Sequence, residues 1–174
     1  MRCLKNLIRL DLNTNSLTKV PTVILQLNSL IDIDLSNNKL IQLPKNIGNL
    51  TASQFIDLRW NKLTSIPASI GKLKKLETLY LGTNQLILLP NEIGELILLK
   101  ELDLEKNKIK ELPESIGKLS NLESIDLNKN RLTKLPSTIK KLKKLKFLDL
   151  RNNLFSKTEQ VRIKKMLPNT EISF

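Results

Sequence analysis

Histidine is absent from this 174-residue chain. Its absence removes the commonest general base, the commonest metal ligand and the usual pH switch. Cys3 is the single cysteine, which excludes an intrachain disulfide and a cysteine-built zinc site. Aromatic residues are scarce, at 3 %, with four Phe, one Tyr and one Trp. The hydrophobic fraction is still 40 %, so any core is aliphatic, built from Leu and Ile. No stretch approaches the roughly 20 apolar residues of a membrane span. The start, M-R-C-L-K-N-L, shows no apolar run of the signal-peptide kind. The expected location is therefore cytoplasmic, or secreted or surface-exposed if Met1 is not the native start. Negative charge is in the minority too: 17 Asp and Glu face 29 Lys and Arg, a net charge of +12. Such a balance draws the chain toward anionic surfaces, and it also keeps a leucine-rich protein in solution.

What the chain has in abundance is period. Asn recurs at 15, 38, 61, 84, 107, 130 and 153, every 23 residues. Pro at 21, 44, 67, 90, 113 and 136 and Gly at 48, 71, 94 and 117 keep the same register. Three residue types in one register define a tandem repeat, not a scatter of turns. The unit from Leu76 reads L-E-T-L-Y-L-G-T-N-Q-L-I-L-L-P-N-E-I-G-E-L-I-L. Leu79 and Leu81 alternate with Tyr80, the mark of a short strand. Asn84 stands where that strand turns, and its amide can satisfy backbone groups at a buried corner. After Pro90, Ile93, Leu96 and Leu99 recur every three, which suits a short helix or 3-10 segment opened by the proline. One strand per unit stacks in parallel, and no unit buries its own leucines.

The unit has the form LxxLxLxxNxL followed by LPxxIGxL. In this it resembles the 23-residue type of leucine-rich-repeat proteins, and is similar to short bacterial ones, those of spirochaete pathogens among them. It also looks like the intracellular Ras-suppressor type. The resemblance implies an α/β fold, a curved solenoid with a parallel sheet on its concave face and short helical or 3-10 segments on the convex face. Residues 1–155 form seven units and 156–174 a C-terminal cap. In the cap, Ser156 and Glu159 have capping-box spacing. Val161, Ile163, Met166 and Leu167 offer a helix face, and Ile172 and Phe174 alternate as in a last strand. The other end begins within a repeat, so Leu4, Leu7, Ile8 and Leu10 lie at an open strand edge. That edge is the expected surface for a homodimer.

Function in such a fold lies in the strand positions that the core does not use. Strand alternation puts three columns on the concave face. The first reads Arg9, Asp32, Phe55, Thr78, Glu101, Ser124, Phe147. The second reads Asp11, Asp34, Asp57, Tyr80, Asp103, Asp126, Asp149, and Arg59 and Arg151 belong to the next. The residue before each Asn reads Thr14, Asn37, Trp60, Thr83, Lys106, Lys129, Asn152. Phe55, Asp57, Arg59, Trp60 and Tyr80 thus fall together, and Trp, Tyr and Arg are the types enriched in interface hot spots. They are the expected partner-binding residues. Ser53 stands where other units have Leu, and the space it leaves would let Phe55 tip into the core, leaving Trp60 and Tyr80 at the surface.

The Asp column has two readings. The carboxylates serve polar groups near the turns, or Asp34, Asp57, Asp103 and Asp126 hold a cation, for which a flat ladder offers few convergent oxygens. No nucleophile–base pair, phosphate loop or metal-ligand cluster is present, so no enzyme and no cofactor are expected. The lysines of the convex half, Lys72, Lys74, Lys75, Lys140, Lys141, Lys143, Lys144 and Lys146, have no stacking aromatics among them, which argues against specific nucleic-acid binding. Ile87, Leu88, Ile97 and Leu98 replace polar residues of other units and form a second apolar patch or pack more deeply. The function expected is non-enzymatic protein binding through the concave face, with a host or surface protein as the partner implied by the bacterial resemblance. The alternative is an intracellular signalling scaffold of the Ras-suppressor type.

Overall fold

The computed structural model describes residues 6–174. Leu4, one of the four residues expected at the open edge, lies outside the described residues. Each unit supplies one three-residue strand: β1 Arg9–Asp11, β2 Asp32–Asp34, β3 Phe55–Asp57, β4 Thr78–Tyr80, β5 Glu101–Asp103, β6 Ser124–Asp126 and β7 Phe147–Asp149. A helix, α1 Lys157–Met166, and an eighth strand, β8 Glu171–Ser173, follow. The strands form one parallel sheet in chain order. Their register sets Ile33, Ile56, Leu79 and Leu102 in one row that faces the core. It keeps the first two concave columns aligned.

The strands are short because the chain leaves the extended conformation just after them. The residue before each conserved-register Asn has a left-handed backbone, with φ between 50° and 58° in all seven units. The Asn then locks the corner. The Asn84 amide donates to the carbonyls of Leu58 and Leu81, each at 3.0 Å, and its oxygen accepts the Leu63 N–H at 2.9 Å. Leu58 and Leu63 belong to the preceding unit, so each amide also joins two units. Asn38, Asn61, Asn107, Asn130 and Asn153 repeat the pattern.

The far side of each unit is a 3-10 segment rather than an α-helix, as in Ala68–Lys72, Asn91–Glu95 and Glu114–Lys118. Bonds such as Ile93 N–H to Pro90 carbonyl and Leu96 N–H to Ile93 carbonyl have three-residue spacing. These segments pack directly on one another. A Cβ at Gly48 would lie 2.2 Å from the Ser69 carbonyl oxygen, and one at Gly94 2.3 Å from that of Ser115. The periodic glycines therefore mark where the next unit's backbone passes. Lys140 takes this place in the last unit, over which no further 3-10 segment stacks. Strands at about 4.8 Å spacing set against these bulkier segments give the solenoid its curve, with the sheet on the concave side.

At the C-terminal end Ser156 Oγ caps α1 by accepting the Glu159 N–H at 3.2 Å. The Glu159 carboxylate does not turn back to complete a reciprocal box. It accepts the Leu135 N–H at 3.1 Å and pairs with Arg162, which donates to the Leu135 carbonyl at 2.6 Å. The pair thus clasps both backbone groups of one residue in the last full unit. Ile163 and Leu167 are buried and Met166 packs against the core. Val161 does not join that face as expected. Two residues from Ile163 is more than half a helical turn, and Val161 points to solvent.

Candidate functional site on the concave face

The residues singled out by the repeat come together around β3 and β4. Phe55 and Tyr80 meet edge to face, with ring centroids 5.5 Å apart and planes at 86°. Arg59 lies over the Tyr80 ring, its guanidinium carbon 4.6 Å from the centroid. The Tyr80 hydroxyl donates to Glu101 at 2.6 Å. Burial, and then this bond to a carboxylate, push the Tyr80 phenol up to about 12. The tyrosine is thus held by three side chains, at its ring by Phe55 and Arg59 and at its hydroxyl by Glu101.

Asp57 is 3 % exposed and lies beneath Arg59. Its carboxylate accepts from Arg59 Nε at 3.1 Å and 3.0 Å, from Nη2, and from the Arg59 N–H at 2.9 Å. These bonds raise the Arg59 guanidinium above its ordinary value. Asp57 therefore serves the patch from below, by fixing the arginine over the Tyr80 ring. Phe55 is half-buried on the concave face and has not sunk inward. Ser53 is fully buried, and instead of leaving a space it donates to the Leu30 carbonyl at 3.0 Å. The expectation that Ser53 makes room for Phe55 is overturned by that bond.

Trp60 is 57 % exposed, and its backbone has φ 58°. The Lys106 ammonium stands 5.4 Å from its ring centroid. Lys106 lies two units on in the same column, with the small Thr83 between. Neither Lys106 nor Glu101 was singled out from the sequence. The signal was available in the columns: a long side chain beyond a small one, and an acid diagonal to a tyrosine.

The rest of the Asp column works on the backbone. Asp34, Asp103, Asp126 and Asp149 each accept the N–H two residues on, from Ser36, Glu105, Asn128 and Arg151. Burial pushes Asp103 up to about 6, helped by the charge of Asp126 and opposed by the Glu105 N–H and Arg59. Gly82 matters here, because a Cβ at that position would stand 2.6 Å from the Asp103 carboxylate. Burial likewise raises Asp126, whereas at Asp149 the bonds from Arg151 outweigh burial and lower it. Among the described residues no three His, Cys, Asp or Glu side chains converge to hold a metal ion. Among them too, no helix is long and apolar enough to cross a membrane.

The family profile described as leucine-rich repeat region matches residues 32–104 and 89–167. The chain belongs to the leucine-rich-repeat family. Among solved structures, this leucine-rich-repeat protein is similar to one of Leptospira interrogans, at 38 % identity and a TM-score of 0.94 over 98 % of this chain and 44 % of that one. It is similar to PEPR1 in the PEPR1–AtPEP1 crystal structure, at 34 % identity and 0.80, covering 87 % of this chain and 22 % of that. It is similar to the plant peptide hormone receptor RGFR1 in complex with RGF2, at 27 % identity and 0.75, covering 98 % and 32 %. This chain thus spans less than half the length of each of these solved relatives. A comparison with curated proteins finds no match. The family is one of interaction modules, and no enzymatic family is indicated.

Of the other sequence-selected residues, Leu7 and Leu10 pack partly against the core at the β1 edge while Ile8 is exposed. Ile87, Leu88, Ile97 and Leu98 do not pack more deeply: all four are exposed. They divide into two pairs, one following β4 and one preceding β5, on opposite flanks of the solenoid.

Proposed function

We propose that the concave face binds a protein partner, with Trp60, Tyr80, Arg59 and Phe55 as its anchor and Asp57 as the support beneath. The observation that carries this reading is Trp60. A large apolar side chain is kept exposed at a left-handed backbone position, where a bulky residue costs about 1–2 kcal/mol. The fold gains little from it there, since its ring meets only the Lys106 ammonium among the described ring contacts. Strain held at an exposed aromatic is the pattern of a functional site. Tyr80 and Arg59 support the reading because their neighbours hold them before any partner arrives, which lowers the ordering cost of binding. The relatives solved with AtPEP1 and with RGF2 show leucine-rich-repeat proteins engaged with ligands, which makes binding the natural class for this one. The likeness to a Leptospira interrogans protein supports a bacterial setting, with a host or surface protein as partner.

The test is capture of partners by wild type and by Trp60→Ala with Tyr80→Ala. Both substitutions lie outside the aliphatic core, so folding is retained and capture falls by at least about ten-fold. Equal capture would place the binding surface elsewhere. We propose a second copy of the chain as the partner of the β1 edge, through Leu7, Ile8 and Leu10, because among the described residues β1 pairs with β2 alone and an unpaired strand edge is a template for pairing.

A further inference from the structure

One flank of the solenoid carries exposed apolar residues and a surplus of lysine together. Ile97 and Leu98, 52 % and 41 % exposed, form the turn between the 3-10 segment Asn91–Glu95 and β5. The equivalent turns of nearby units carry Lys74 and Lys75 on one side and Lys143 and Lys144 on the other, all exposed. Asn121 ties the stripe together, donating to the Ile97 carbonyl at 2.7 Å and accepting from Lys144 Nζ at 2.7 Å. The carboxylates here are already neutralised: Glu95 by Lys74, Glu77 by Lys100 and Glu123 by Lys146, each at 2.6 Å. Among the described residues Lys75 and Lys143 have no ion-pair partner, so the flank keeps net positive charge around an apolar pair.

We propose that this flank docks on an anionic lipid bilayer. Ile97 and Leu98 enter the headgroup region, and Lys75, Lys143 and Lys144 meet lipid phosphates. Apolar insertion and charge attraction are the two components of peripheral membrane binding. A soluble polyanion would engage the lysines and leave the apolar pair in water, so the pair favours a bilayer. The two side chains lie at the end of the strands opposite to Trp60, so docking here leaves the concave face open. The inference does not depend on the function proposed for that face.

The experiment is sedimentation of the full chain with vesicles of phosphatidylcholine alone and of phosphatidylcholine mixed with phosphatidylserine. The chain partitions onto the mixed vesicles, not the neutral ones, and partition weakens as salt rises. Ile97→Ser with Leu98→Ser lowers it by about ten-fold. Lys75→Ala with Lys143→Ala lowers it by at least about five-fold, and carries the test should the first variant misfold. Trp60, the only tryptophan, reports orientation, and its emission is unchanged on binding. No partition, equal partition of folded variants, or a blue shift of Trp60 overturns the proposal. Binding to heparin without partition onto vesicles assigns the lysines to a soluble polyanion and overturns it as well.

Discussion

At the scale of single residues, stability and binding pull in opposite directions at Trp60. Asn37 and Asn152 hold the same left-handed position in other units, at φ 52° and 56°. Asn tolerates that backbone better than Trp does. Trp60→Asn is therefore expected to leave the melting temperature unchanged or to raise it, with a gain of up to about 1 kcal/mol, while partner capture is lost. Thermal melts of the variant alongside capture assays check both halves, and a large fall in melting temperature would show that the indole serves the fold. Asp103 gives a pH prediction. Its folded value of about 6 lies above the ordinary 3.8, so ionisation is disfavoured in the folded state. The stability it contributes is present below pH 3.8 and is lost as pH rises through about 6. Asp103→Asn keeps an oxygen for the Glu105 N–H and removes the charge. It is expected to stabilise the protein at pH 7 by about 1 kcal/mol, after allowance for solvent at a partly exposed site, and to change little at pH 4. Chemical denaturation at the two pH values measures the difference. The columns that place these residues were legible in the sequence, since period and alternation alone define them. Their depth was not. Asp57 and Asp103 share a column, yet one is covered by Arg59 and the other has Gly82 beside it, and that depends on side-chain reach across strands.

Whole elements are set by two residues per unit. The corner amide of Asn84 joins two units through three bonds. Once it is gone, the Leu58 and Leu81 carbonyls keep the Asn61 and Asn107 amides, but the buried Leu63 N–H loses its acceptor. Asn84→Ala is expected to cost about 1–3 kcal/mol, because it strands the buried Leu63 N–H. On the opposite side, Gly94→Ala sets a methyl against the Ser115 carbonyl and forces two 3-10 segments apart. A loss of about 1–3 kcal/mol is expected, and urea denaturation of both variants checks the pair. A neutral Gly94→Ala would mean that the convex segments can slide. The sequence showed that a proline-led turn would occupy the convex side, but left open whether it would be α or 3-10. Three-residue spacing of Ile93, Leu96 and Leu99 is compatible with both. The glycine alone does not decide, since Thr22–Gln26 and Ser137–Lys141 are 3-10 with Leu25 and Lys140 in its place; it lets the middle segments stack closely. The capping helix shows the converse: Ser156 is legible as a cap, while Glu159 has the right spacing for a box and is drawn away by Arg162 and Leu135, residues distant or unremarkable in sequence.

For the molecule as a whole, stability is close to a sum over neighbours, because strand pairing runs only between adjacent units. The two ends of the described stack are unequal. At one end β8, the Glu159–Arg162 clasp and the edge-to-face pair of Phe155 and Phe174, 6.3 Å between centroids, cover the last unit. At the other end Leu7, Leu10, Leu12 and Leu17 are only partly buried, whereas Leu79, Leu81 and Leu86 in the middle are fully buried. Opening should therefore start at β1 and spread toward β3, and native-state hydrogen exchange is the measurement. In a dilute sample the Leu12 amide, which bonds to the Asp34 carbonyl at 2.8 Å, exchanges well before the equivalent Leu127 amide, which bonds to Asp149 at 2.9 Å. Uniform protection along the chain would contradict a neighbour-by-neighbour stack. The same measurement tests the second copy proposed at β1. Two copies each carrying +12 repel, so pairing is weak at low salt and strengthens as salt screens the charge. Protection of the β1 edge then rises with protein concentration and with salt, and light scattering reports a dimer that Ile8→Lys removes. A monomer at high concentration and high salt, with β1 exchange unchanged, leaves that edge without a second copy.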